Sequence, residues 1–162
     1  MISYKTIESF KPGIIERLLR ESYFDLIDYF PTNKIRLFQQ WKKEDENAFD
    51  NPDTIGKHIL FSCLGDIVIG YFSWDDRQYP TGYIGQNFIL PKYQGQGFGK
   101  AQIEMIKKTF IDNEFETIIA TTGNHEFFKP AQKMYQDCGF VIHNKKKGDL
   151  FELIEYIEYL KY

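Results

Sequence analysis

Phe88-Ile-Leu-Pro-Lys-Tyr-Gln-Gly-Gln-Gly-Phe-Gly-Lys100 runs from an apolar segment through a proline into a turn with glycine at every second position, then into a helix with a basic start. Gly95, Gly97 and Gly99 give the backbone freedom to turn sharply and to present bare N–H groups to a ligand. The helix that follows aims its positive end at the same place, so the spacing predicts an anion cradle, suited to a pyrophosphate.

Two familiar phosphate loops fail by spacing. A P-loop needs a hydroxyl after its lysine and a glycine five residues before it, but Ala101 follows Lys100 and Gln94 stands where the glycine belongs. A dinucleotide fingerprint is G-x-G-x-x-G, whereas this loop is G-x-G-x-G. The pattern that fits is Q/R-x-x-G-x-G/A, through Gln94, Gly97 and Gly99. With Ile89-Leu90-Pro91 before it, the segment resembles the acyl-CoA-binding motif of the GNAT superfamily of N-acyltransferases. Downstream, Ala131-Gln-Lys-Met-Tyr135-Gln-Asp-Cys-Gly139-Phe140 resembles that family's A-x-x-x-Y-x-x-x-G-F helix and turn. The alternative for this second segment is an ordinary amphipathic helix ended by a glycine. The resemblance is best over residues 58–142 and extends to the N-terminal third by layout alone.

Composition narrows the partners. The chain has 162 residues, enough for one domain (1–162) with a proper core. Its net charge is −3 and no basic face stands out, so nucleic acid is not an expected partner. Lys145-Lys146-Lys147-Gly148-Asp149 reads as a solvated hairpin turn. No apolar run reaches the roughly 20 residues of a membrane span, and the first residues lack a signal-peptide shape; a cytoplasmic protein is expected. Cys63 and Cys138 read as small buried apolar residues. His58, His125 and His143 are scattered, and no metal site is expected.

Along the chain, residues 2–8 alternate as an opening strand. A helical stretch starts at Pro12 and carries Ile14, Ile15, Leu18 and Leu19, continuing through Phe24, Leu26 and Ile27 until Pro31 breaks it. A second helix begins near Thr32 and Asn33 and carries Ile35, Phe38 and Trp41. Residues 45–56 read as a loop. Strands follow over 58–64, 67–74 and 83–90, the first two joined across Gly65-Asp66. Ile103, Ile106 and Phe110 mark the helix after the glycine loop. Residues 115–122 form a strand, Pro130 opens a helix that ends at Gly139, and 140–144 and 150–160 are the last two strands. The order β-α-α-β-β-β-α-β-α-β-β is α/β with a mixed sheet, which the resemblance makes largely antiparallel, central and flanked by helices.

The resemblance implies transfer of an acetyl group from acetyl-CoA, as co-substrate, to a primary amine of a small molecule or peptide, by direct attack and without metal. It assigns the CoA contacts to Phe88, Ile89, Leu90, Gln94, Gly95, Gln96, Gly97, Phe98, Gly99 and Lys100. The strand edge pairs with the pantetheine arm, and amides around Ile89 and Leu90 hold the thioester carbonyl. Tyr135 is placed as the catalytic hydroxyl beside the sulfur. Two departures stand out. Phe128 occupies the family's usual Asn position, and Asn124 either takes over the pantetheine contact or shapes the Gly123-Asn124 turn. The strand before the loop also lacks the carboxylate that many relatives use as base. Asp75 and Asp76 are the nearest acids, with a turn beside Arg77 as their alternative role. Glu21, Asp25 and Asp28 with Tyr23, Phe24 and Tyr29 form either an acidic aromatic acceptor pocket or core plus a solvated face. Phe151, Tyr156 and Tyr159 are expected on an exposed aromatic strand that permits a homodimer. The rival readings are a non-catalytic acyl-CoA-binding sensor on the same fold, and a nucleotide-binding protein, against which both failed spacings count.

Overall fold

A computed structural model describes residues 1–160. Its seven strands are β1 (Ile2–Lys5), β2 (Ile59–Leu64), β3 (Ile67–Gln78), β4 (Thr81–Ile89), β5 (Thr117–Gly123), β6 (Val141–Lys146) and β7 (Leu153–Tyr159). They form one mixed sheet in the order β1-β2-β3-β4-β5-β7-β6. The β1–β2, β5–β7 and β6–β7 pairs are antiparallel, and β4–β5 is parallel. The helices are α1 (Ile14–Ser22), α2 (Phe24–Tyr29), α3 (Lys34–Asp50), α4 (Phe98–Asp112) and α5 (Lys129–Asp137). The expected layout of a mixed, largely antiparallel sheet flanked by helices is therefore observed, with one helix more than the sequence pattern predicts.

The chain divides into two compact units. The first comprises Met1–Phe72 and Phe88–Phe98. Here the expected first helix breaks into α1 and α2 at Tyr23, whose backbone leaves the helical region at φ −104°, ψ 18°. The break lets the Tyr23 ring stack on Trp41 at 5.8 Å and meet Phe88 edge-on at 5.9 Å. The second helix, α3, runs through Asp50, so the loop expected from residue 45 begins six residues later. The acidic run there hides an interior stripe of Leu37, Trp41, Asp45 and Ala48 at helical spacing. Asp45 is 3% exposed because it caps another helix. One of its oxygens accepts the Gly13 N–H at 2.8 Å, and the other accepts those of Ile15 and Glu16 at 2.8 and 3.1 Å. The first turn of α1, which has no side-chain cap of its own, is thus satisfied from α3.

The second unit comprises Ser73–Asn87 and the chain from Gly99 on. Ile103, Ile106 and Phe110 of α4 are buried, and Phe110 packs its ring where a side chain at Gly82 would stand. Tyr156 of β7 is 1% exposed, not on an exposed face as expected, while Tyr159 is at the surface. The strand β6 ends the sheet order, and all six of its residues are exposed, Val141 and Ile142 included. Its register with β7 shifts between Ile142 and Asn144. Lys145 and Lys146 lie in this strand and not in the predicted turn.

Candidate functional site

The glycine loop has the geometry of a cradle. After Leu90, Pro91–Tyr93 makes one 3-10 turn and Gln94 returns to extended backbone at φ −71°, ψ 160°. The Gln94 side chain then donates from Nε2 to the Ile89 carbonyl at 2.9 Å, tying the loop to the end of its strand. Gly95 and Gly97 have φ of +80° and +86°, a left-handed conformation that favours glycine. A Cβ at either would meet nothing within 4 Å, so the loop faces open space. Gly99, the third glycine of the pattern, belongs to the first turn of α4, where free N–H groups and the helix dipole favour an anion. These features fit a bound pyrophosphate. Lys100, also in that turn, pairs with Asp137 at 3.4 Å.

Within the second unit, β4 and β5 part early. Their ladder runs from Thr81↔Thr117 to Tyr83↔Ile119 and ends there, although β5 continues its pairing with β7 to Gly123↔Leu153. The parting begins beside an irregularity: the Gln86 N–H donates to the Ser73 hydroxyl at 2.9 Å. Gly85 makes this possible, because a Cβ there would run into that same oxygen. Asn87, next along, accepts a hydrogen bond from Gln102 of α4 at 2.9 Å. Neither Ser73 nor Gln102 stands out in a motif search; the one available signal is a glutamine on the interior face of α4. Beyond, the Leu90 N–H donates to the Ile69 carbonyl at 2.8 Å. It is therefore committed to β3 and corrects the expectation that this amide holds a thioester. Alternate N–H groups of a strand point to opposite edges, so that of Ile89 faces the other way.

Tyr135 sits on α5 and is 4% exposed, its ring stacked on Tyr156 at 5.7 Å and edge-on to Phe140 at 5.5 Å. Its carbonyl accepts the Phe140 N–H at 3.0 Å, closing the helix end over Gly139 at φ +97°. Lys107 of α4 braces that turn, donating to the Cys138 carbonyl at 3.2 Å and to Glu158 at 2.8 Å. Asn124 is exposed and engaged with Glu152: its Nδ2 donates to the carboxylate and its N–H to the carbonyl, both at 2.7 Å. Phe128, in the place of the family's Asn, lays its ring over Gly123 together with that of Phe151. Gln132, which no motif flagged, donates to the Gly123 carbonyl at 2.9 Å.

The remaining candidates lie as follows. Asp75 receives Nε and Nη2 of Arg77 at 2.9 and 2.6 Å. Tyr23 is packed among rings, and burial, then the nearby Glu44 carboxylate, pushes its phenol above the ordinary range. Phe24, Tyr29, Asp25 and Asp28 lie exposed, and Glu21 pairs with Arg17. Burial also pushes the Cys63 and Cys138 thiols up, so neither is primed as a thiolate. Among the described residues no group of three or more His, Cys, Asp or Glu is gathered as a metal ion requires. Among the same residues no helix is long and apolar enough to cross a membrane.

Comparison with known proteins gives the same picture. The family model described as "Acetyltransferase (GNAT) family" matches residues 15–140. No curated protein sequence matches the chain. Among solved structures, Ard1 from Thermoplasma volcanium superposes with a TM-score of 0.74 at 13% identity, over 99% of each chain. A GNAT family acetyltransferase from Elizabethkingia anophelis, with acetyl-CoA bound, gives 0.66 at 16% identity over 99% of this chain and 97% of that one. The ribosomal-protein-S18-alanine N-acetyltransferase from Escherichia coli gives 0.65 at 11%, over 98% and 94%. At these identities the likeness is one of fold.

Proposed function

The chain belongs to the acetyltransferase (GNAT) family, and on that premise we propose that it moves an acetyl group from acetyl-CoA to the primary amine of a small molecule or peptide. The early end of the β4–β5 ladder carries the reading. It leaves β4 with an edge that an extended pantetheine arm can pair with, as an added strand does, and β4 then leads directly into the glycine loop.

Bound acetyl-CoA supplies a thioester carbonyl as electrophile and a thiolate as leaving group. The chain's own groups do the rest. The amides of the loop and of the first turn of α4 hold the pyrophosphate. The Ile89 N–H is the donor for the thioester carbonyl, with Leu90 already committed. Tyr135 holds its proton toward the sulfur. With reference values of about 10 for a phenol and about 8.5 for a thiol, full transfer is uphill, so the hydroxyl acts chiefly as a hydrogen-bond donor to developing charge. An amine of pKa about 10.4 is neutral in roughly one molecule in 2,500 at pH 7, a cost of about 4.6 kcal/mol. β4 carries no carboxylate to take the amine proton, and Asp75, one of the two nearest acids with Asp76, is held by Arg77.

The test is calorimetric titration with acetyl-CoA against ATP and NAD, followed by turnover of Tyr135→Phe. Selective binding of acetyl-CoA, with turnover reduced about 100-fold and affinity unchanged in the variant, supports the reading. Binding without turnover of any amine points to an acyl-CoA sensor on the same fold. Tighter binding of ATP or NAD overturns both.

A further inference from the structure

Gln102 is an anomaly in α4. It adjoins Ile103 on the interior side of the helix and is 0% exposed, where leucine would pack without the cost of burying an amide. Its Nε2 donates to Asn87 Oδ1 at 2.9 Å, and Asn87 Nδ2 lies 4.0 Å from the Met134 sulfur, a weak acceptor. One side chain of β4 is thereby linked to α4 and to the residue preceding Tyr135 on α5.

The place of Asn87 gives the pair its meaning. The β4–β5 ladder ends at Tyr83↔Ile119, so Asn87 lies in the stretch of β4 that has left its neighbour. A strand edge of that kind gains backbone hydrogen bonds by closing back onto the next strand. One side-chain contact opposes such closure: Gln102 holds Asn87 from the helix side, whereas the Gln86 N–H is turned to the other edge, toward Ser73 of β3, at 2.9 Å.

We propose that Gln102 and Asn87 are positioning residues that keep the end of β4 splayed from β5, so that the Ile89 N–H stays available to the acyl donor. The part concerning the donor rests on the acetyl-CoA reading above; the part concerning the strand does not.

The experiment compares the wild-type protein with the apolar double variant Asn87→Leu/Gln102→Leu. Replacing both members of a hydrogen-bonded pair by apolar groups of similar shape leaves folding nearly unchanged. Hydrogen exchange is read first without ligand. Closure of β4 onto β5 is expected to slow exchange over residues 84–89 by about tenfold or more. Acetyl-CoA affinity, read by calorimetry, is expected to fall by about tenfold. A folded double variant with unchanged exchange over 84–89 and unchanged affinity overturns the proposal. Should the double variant fail to fold, Gln102→Met, which keeps the length and removes the donor, decides on the same exchange readout. If wild type does not bind acetyl-CoA, the functional reading falls, while exchange in the ligand-free protein still decides whether the pair holds the strand open.

Discussion

Replacing Asp45 by alanine removes one carboxylate and strands three backbone donors at once, those of Gly13, Ile15 and Glu16. Loss of a helix cap costs about 1 kcal/mol, and a buried N–H left without a partner costs about 1–3 kcal/mol. Of the three bonds, that of Ile15 is fully buried and the others are partly reached by water. Water therefore recovers part of the loss, and the sum is about 3 kcal/mol. For a chain of this size, that is a fall of about 6–12 °C in melting temperature. Asp45→Asn keeps one acceptor for α1 but turns an NH2 toward a remaining N–H, so it should lose about half as much. Thermal and urea unfolding at neutral pH measure both variants. An alanine variant melting within about 2 °C of wild type, or an asparagine variant worse than alanine, would refute the argument that α3 caps α1.

Gly97→Ala should weaken acetyl-CoA binding by about tenfold or more in calorimetry, because the new Cβ enters open space at φ +86° and the backbone resists that conformation. Gly13→Ala, at φ +106° with equally open space, is the control for strain alone and should leave affinity unchanged. Lys107→Met takes away the partner of Glu158 Oε1, whose Oε2 already has no partner among the described residues, under the end of α5 and should cost about 1–3 kcal/mol, less than a fully buried pair because the two side chains are 15% and 18% exposed. Burial opposes the Lys107 charge, but its hydrogen bond to Glu158 and the Glu158 and Glu104 carboxylates outweigh it and raise its pKa. The stability this gives is complete below the ordinary lysine pKa of about 10.4 and is lost as pH climbs through the raised value. Urea midpoints between about pH 9 and 11.5 should therefore fall more steeply for wild type than for Lys107→Met; equal slopes would sink the assignment.

What could be read from the sequence was what local backbone chemistry demands. Gly95 and Gly97 announce left-handed backbone, and Gly139 announces the end of α5; all three have positive φ. The strand and helix periods of the C-terminal half located their elements to within a few residues. What escaped is what depends on partners distant in the chain. Asp45 looks like a loop residue until the start of α1, thirty residues before it, is seen to need its oxygens. Gln102 looks like an ordinary polar helix residue until Asn87 is placed against it. Tyr156 looks like part of a surface stripe until α5 covers it with Tyr135. Tyr23 interrupts a helix that its propensity would continue, because aromatic packing in the fold outweighs one turn of helical hydrogen bonds.

The outermost strand, β6, bears on how the protein behaves in a crowded solution. It offers unpaired backbone beside Val141 and Ile142, both largely exposed, which is the surface from which fibrillar self-association starts. The register shift between Ile142 and Asn144 interrupts its regular repeat there, and Lys145 and Lys146 add charge to the next two positions. A second chain approaching edge to edge would meet a kinked template and positive charge. Neutralising Lys145, by substitution or acetylation, would remove part of this protection against precipitation, whereas Lys146 also pairs with Glu155 of β7 at 2.7 Å.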